Sequence, residues 1–172
     1  MKISVSAGHY PGEDSGAVGQ TGLQEAEVNK NIALSVVNIL KSVGYNALFI
    51  QRNELFDIVQ TSNDFGADLF ISIHCNAAEN REARGTETFY GSTPQLAQCI
   101  QTQIIDNLMT VDRGIKDGAG LYVIRNTNAP AVLAECEFIS NSEGESMLAS
   151  VEGQEGLSKA IARGITDYVA TL

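Results

Sequence analysis

Basic residues, cysteines, histidines and long apolar runs are all scarce in this chain, and each scarcity removes a class of function. Eleven lysines and arginines face twenty-one aspartates and glutamates over 172 residues, a formal charge of −10. Nucleic-acid binding requires a basic surface, so that role is excluded, and neutral, cationic or metal-linked ligands suit the surface better. No apolar stretch approaches the roughly 18 residues needed to cross a bilayer. With 44% hydrophobic residues and a mean hydropathy near zero, the composition is that of an ordinary globule, with no membrane insertion expected. The three cysteines, Cys75, Cys99 and Cys136, are odd in number and lack C-x-x-C spacing, which suggests neither a disulfide framework nor a thiolate zinc site. Repeats, low-complexity tracts and a Pro/Ser-rich linker are also missing, so one domain is expected over residues 1–172. The amino terminus enters a strand pattern at Met1 to Val5 without a signal peptide. The expectation is either synthesis without a secretory signal or a domain belonging to a longer precursor.

What is present alternates strand with helix. A first strand over Ile3 to Ala7 is followed by a loop with glycines at 8, 12, 16, 19 and 22, and then by Val28, Ile32, Val36, Ile39, Leu40 and Val43 at helical spacing, closed by Gly44. Tyr45 to Ile50 predicts a strand, Glu54 to Phe65 a helix ended by Gly66, and Leu69 to His74 a strand apolar enough to be buried on both faces. Thr86 to Tyr90 predicts another. Ser92 or Thr93 is then placed to cap a helix with Pro94 in its first turn and Leu96, Ile100, Ile104 and Leu108 on one face. Leu121 to Ile124 and Val132 to Phe138 complete the strands, and a terminal helix is expected from about Gly156 to Leu172. The fold class implied is α/β: an open, mostly parallel twisted sheet of about six strands flanked by helices on both faces.

The only two histidines, His9 and His74, each end a β-branched run. Imidazoles delivered from neighbouring parallel strands converge outside the carboxyl edge of the sheet, where α/β folds build their sites. With Glu25 between them they suggest a zinc ion held by two histidines and a carboxylate, leaving a fourth position for water, as in catalytic rather than structural zinc sites. Glu25 also fits a simpler role, since acids are favoured in the first turn of a helix. Glu135 and Glu137 sit inside the apolar run Val132 to Phe138, where carboxylates are costly unless paired, hydrogen-bonded or near a metal. Their spacing of two predicts a shared face. One of them could serve as general base, and a strand-end acid facing water is the alternative. Cys75 and Cys136 alternate to the face opposite His74 and Glu135, which disfavours a catalytic thiol.

These residues fall in a series of motifs: Ala7-Gly8-His9, Asp14-Ser15-Gly16-Ala17, Gly22-Leu23-Gln24-Glu25 with Val28-Asn29, Ser72-Ile73-His74-Cys75-Asn76-Ala77, Gly85-Thr86-Glu87-Thr88, and Pro130 to Glu135 running into Phe138-Ile139-Ser140-Asn141. In that order the chain resembles the zinc-dependent N-acetylmuramoyl-L-alanine amidases of the AmiC/CwlV type, the amidase-3 family of bacterial autolysins and phage endolysins. The resemblance implies one catalytic Zn2+ held by His9, Glu25 and His74, with Glu135 as catalytic acid/base. It implies cleavage of the bond between N-acetylmuramic acid and the L-alanine of the peptidoglycan stem, hence action at the bacterial cell wall after export by a phage holin route or within a longer precursor. Asn76 and Glu137 are expected to contact substrate, and the protein to be a monomer. The chain departs from the family at Ser6-Ala7, in place of Asp-Pro, at Tyr10-Pro11-Gly12, in place of a second Gly-Gly, and at Glu137, in place of a small residue. A different loop shape around the metal is expected from the first two departures, and a second carboxylate lining the cleft from Glu137. About thirty residues separate Tyr90 from Leu121, an allowance used up by one helix and a short connection, so the cleft is expected to be open. The alternatives are another zinc amidase or carboxypeptidase acting on wall peptides, and a non-catalytic peptidoglycan-binding module.

Overall fold

The computed structural model describes residues 1–172. In chain order the elements are β1 (Lys2–Ala7), α1 (Glu25–Ser42), β2 (Asn46–Ile50), α2 (Leu55–Phe65), β3 (Leu69–Asn76), β4 (Thr86–Tyr90), α3 (Pro94–Leu108), β5 (Asp112–Asp117), α4 (Tyr122–Asn126), β6 (Ala131–Phe138), α5 (Ser142–Ala149) and α6 (Val151–Val169). The six strands form one sheet in the order β2-β1-β3-β6-β4-β5. Every pairing is parallel except β4 with β6. The expected mostly parallel α/β architecture is therefore observed.

The two faces of the sheet are covered unequally. Alternation along β3 sends Leu69, Ile71, Ile73 and Cys75 into a core shared with α1, α3, α5 and α6, a cluster of 29 buried residues. Phe70 enters a much smaller cluster of 8, built with α2, α4, β2 and β6. Only two short helices cover that second face, so Ser72 and His74, further along the same side of β3, line a cleft instead of meeting a helix. Close packing on the thick side depends on Gly164 of α6: a Cβ there would stand 2.5 Å from the Ile100 Cα of α3.

Three expectations fail locally. Leu121 to Ile124 is not a strand but runs into the short helix α4; a brief apolar run does not distinguish the two. The sixth strand is instead Asp112–Asp117, whose sequence DRGIKD is polar because it lies at the sheet edge. The terminal helix begins earlier, at Val151, and is preceded by α5. Asn141 and Ser150 explain both starts, since their side chains accept from Glu143 and Gly144 (3.1 Å each) and from Gly153 (2.9 Å). Neither Ser92 nor Thr93 caps α3: Thr93 stands at the N-cap without a side-chain bond, and Pro94 opens the helix.

Candidate metal centre and its cleft

β1 ends at Ala7, and Gly8 extends its ladder by one bond to the Ile73 carbonyl (2.9 Å). Gly8 has no Cβ because the ring of His74 occupies that space: a Cβ would lie 2.2 Å from its Cε1. The chain then turns at His9, which takes a left-handed φ of 63°, a conformation histidine adopts more readily than bulky or β-branched residues. Its Nδ1 lies 2.7 Å from Asp14 Oδ2, and Asp14 Oδ1 accepts from the Gly16 amide at 3.0 Å. Asp14 thus fixes the ring's orientation, the usual service of a carboxylate behind a metal-binding histidine. Gly16 completes the wall, because a Cβ there would approach His9 Cδ2 to 2.5 Å and Glu25 Oε2 to 2.6 Å.

Glu25 opens α1 and is 3% exposed. Its Oε2 accepts from the Ala17 amide (2.9 Å) and its Oε1 from the Cys75 amide (3.0 Å) and Asn29 Nδ2 (3.2 Å). His9 Nε2 stands 3.3 Å from Oε2 and His74 Nδ1 3.1 Å from Oε1. Burial works against the charge of Glu25, but the bonds from His74 and His9 prevail and hold its carboxyl well below the usual range. In turn the bond to Glu25 raises His9 to about 9 against the opposing effect of burial. The glycine-rich loop that brings these groups together is pinned from outside by Glu145 of α5, whose carboxylate accepts from the amides of Gln20 and Thr21 at 2.9 Å and from Thr21 Oγ1 at 2.6 Å.

His9, Glu25 and His74 place their ligating atoms within 4.8 Å of one another. The donor set suits a divalent cation such as zinc. A further observation supports the fit: Glu135 Oε2, on the strand beside His74, is buried without a hydrogen-bond partner. Burial raises Glu135 to about 7, although the neighbouring His74 acts to lower it. The thiols of Cys75 and Cys136 lie in the large core on the opposite face and are pushed up by burial, so neither is an activated nucleophile.

The register continues the row of site residues across the sheet. His74 of β3 pairs with Glu135 of β6, and Glu135 pairs with Glu87 of β4. Glu87 belongs to the motif Gly85-Thr86-Glu87-Thr88, but the sequence reading gave it no role; the available signal was one acid alternating with two buried threonines. Asn76 donates to Glu87 Oε1 (3.0 Å) and caps Ala77 (2.9 Å), so it braces Glu87 with both ends of its amide engaged. Glu137 does not join the row. Register shifts between His74 and Asn76, so that Asn76 pairs with Phe138, and the expected shared face with Glu135 is lost. Glu137 is 2% exposed, and its carboxylate accepts from the amides of Gly85 and Phe138 and from Thr110 Oγ1. That placement ties loops together and leaves no oxygen facing a substrate, contrary to the expectation.

The cleft itself is open. The His9 and His74 side chains are 29% and 21% exposed, and beside them lies a cavity of about 340 Å³ walled by Arg52, Leu55, Ile58, Tyr122 and Leu133.

A family profile described as N-acetylmuramoyl-L-alanine amidase, Amidase_3, matches residues 3–167. The chain is 39% identical to the protein YqiI of Bacillus subtilis, covering 96% of this chain and 84% of that one. It is 37% identical to the N-acetylmuramoyl-L-alanine amidase LytC of the same organism over 96% of this chain, but spans only 35% of LytC. Among solved structures, the amidase AmiC2 of Nostoc punctiforme superposes with a TM-score of 0.93 at 32% identity, covering 99% of this chain and 97% of that one. The catalytic domain of CwlV from Bacillus (Paenibacillus) polymyxa gives 0.91 at 32%, covering 99% of both.

Proposed function

Because the chain belongs to the N-acetylmuramoyl-L-alanine amidase family, we propose that residues 1–172 form a catalytic domain that hydrolyses the amide joining N-acetylmuramic acid to L-alanine in peptidoglycan. The observation that carries this reading is the adjacency of two things on one open sheet edge: a two-histidine, one-carboxylate cluster, and a buried carboxylate with an unpartnered oxygen. A decayed binding module would have no reason to keep both.

His9, Glu25 and His74 would hold the metal. A zinc ion there supplies Lewis acidity toward the amide carbonyl and the attacking water. Asp14 keeps the His9 ring in place through Nδ1, leaving Nε2 turned toward the ligand cluster. Glu135 does the proton transfer: its Oε2 has no partner within the protein and can take a proton from water and pass it to the departing amine, the part a positioned carboxylate plays in general acid–base catalysis. The uneven layering keeps the row accessible to a polymer, since no helix crosses it. No helix is long and apolar enough to cross a membrane, and the substrate places the activity at the bacterial cell wall.

The test is mass spectrometry of products released from purified peptidoglycan, with metal content measured in parallel. Free L-alanine amino termini are expected, with loss of activity on chelation and recovery with zinc. New termini elsewhere in the stem would favour the carboxypeptidase alternative.

A further inference from the structure

Beyond Glu87 the row of polar groups continues onto the edge strand. Between Thr86↔Asp112 and Thr88↔Ile115 the register of β4 and β5 shifts by one, so Glu87 faces both Arg113 and Gly114, the latter with φ 76°. Such a bulge re-aims side chains. Arg113 and Lys116 are three residues apart and would point to opposite faces of a regular strand. Here both reach Glu87 Oε2, Arg113 through Nε at 2.7 Å and Lys116 through Nζ at 2.5 Å.

One cation is enough to balance one buried carboxylate, so the second is surplus. Glu87 is only 7% exposed in its side chain, whereas Arg113 and Lys116 are 35% and 40% exposed above it. Arg113 lies over the Phe138 ring at 4.8 Å, and Nε is its only hydrogen-bonding atom. Its two terminal nitrogens have no hydrogen-bond partner within the protein, and such a guanidinium can bind a carboxylate in a bidentate manner. The two cations meet at one carboxylate oxygen in a chain whose acids outnumber its lysines and arginines by ten.

We propose that Arg113 and Lys116, gathered by Glu87, form the subsite that takes a carboxylate of the stem peptide, on the amine side of the scissile bond. This rests on the amidase reading. Neighbouring strands lie about 4.8 Å apart, which puts β5 roughly 10 Å from Glu135, two strands over. An extended chain covers that distance in about three residues, so the carboxylate belongs to one of the first residues after the bond. The acyl side offers no such group, because the carboxyl of the muramoyl unit is consumed in the scissile amide. Direction is consistent as well: Glu135, which protonates the departing amine, lies between the metal cluster and β4. The peptide therefore runs toward β5, and the glycan lies on the side of Leu55 and Tyr122.

The experiment compares synthetic N-acetylmuramoyl-L-alanyl peptides whose next residue carries either a free carboxylate or the corresponding amide. The wild-type protein is expected to favour the carboxylate by about tenfold or more in kcat/KM, chiefly through KM, as expected for a charge-assisted pair. Arg113→Gln should collapse that ratio toward one, Lys116→Gln should lower it, and Arg113→Lys should restore part of it. Arg113→Gln leaves Glu87 bonded to Lys116 and Asn76, and its thermal unfolding reports whether the fold is kept. A wild-type ratio of one, or equal losses on both substrates in Arg113→Gln, overturns the inference while leaving the amidase reading intact. If the wild type cleaves neither substrate, the amidase reading itself fails. Calorimetric binding of the two free peptides, which needs no turnover, then still decides the charge preference, and equal affinities overturn it.

Discussion

Two residues with opposite demands define the centre. His74 is held by Glu25 and by the space Gly8 leaves for its ring. His74→Ala is therefore expected to abolish zinc binding and hydrolysis while the large core on the other face keeps the domain folded. Elemental analysis and circular dichroism check both, and full zinc occupancy in the variant would remove His74 from the ligand set. Glu135 differs in that burial leaves its charged form unfavourable. Glu135→Gln should keep the metal and lose about 10²–10⁴-fold in rate. The same change should stabilise the metal-free protein above pH 7. The sign follows from the raised pKa: between the ordinary value of 4.5 and about 7, the folded state binds more protons than the unfolded state, so stability falls as pH rises through that window. Neutral glutamine escapes that loss, on the order of 1–3 kcal/mol. Denaturant titrations at pH 5 and pH 8 should show the gap at pH 8 alone.

The informative elements are the ones at the sheet's edge and its bulges. The shift between β3 and β6 turns Glu137 away from the cleft and makes it a brace between Gly85, Thr110 and Phe138. Glu137→Ala would orphan buried donors from two loops, at about 1–3 kcal/mol for each unsatisfied group. The expected outcome is a protein with several degrees lower Tm and with the hydrolysis rate largely kept at low temperature. A variant as stable as wild type but inactive would return Glu137 to the chemistry. The β4–β5 shift does the reverse, bringing Arg113 and Lys116 to one carboxylate.

At the scale of the molecule, α1, α3, α6 and the short α5 pack into the core on one face, and two short helices cover part of the other, which leaves the carboxyl edge exposed. In the metal-free state the centre is held by the proton on His9 that Glu25 favours. Because its pKa is raised from 6.5 to about 9, its contribution is complete below pH 6.5 and is lost as pH rises through 9. A zinc ion held by His9, Glu25 and His74 would bind the folded state and take over the carboxylate, so the prediction has two parts. Saturating zinc should raise Tm, by about 2.7 kcal/mol of stability at a hundredfold excess over Kd. The metal-free protein should lose stability between pH 7 and pH 9.5. Scanning calorimetry at those two pH values, with chelator and with zinc, checks both. Absence of a zinc-dependent rise would contradict the metal-centre reading.

Hydrophobic period is a local signal, and it was enough to give the alternation of strands and helices and the positions of β1, β3, β4 and β6 to within a residue or two; the rarity of histidine brought His9 and His74 forward as candidates, whereas Glu25 and Glu135 were settled among the acids only through the family resemblance. The assignment of Leu121 to Ile124 as a strand failed, since a short apolar run fits helix and strand alike, and polar β5 was invisible because an edge strand need not be apolar. Tertiary structure alone decided which acids work together. Glu135 and Glu137 are two apart and separate at a bulge; Glu135 and Glu87 are 48 positions apart by number and become neighbours through an antiparallel pairing. Register across strands is set by the packing of both faces at once, and no stretch of a single strand contains that information.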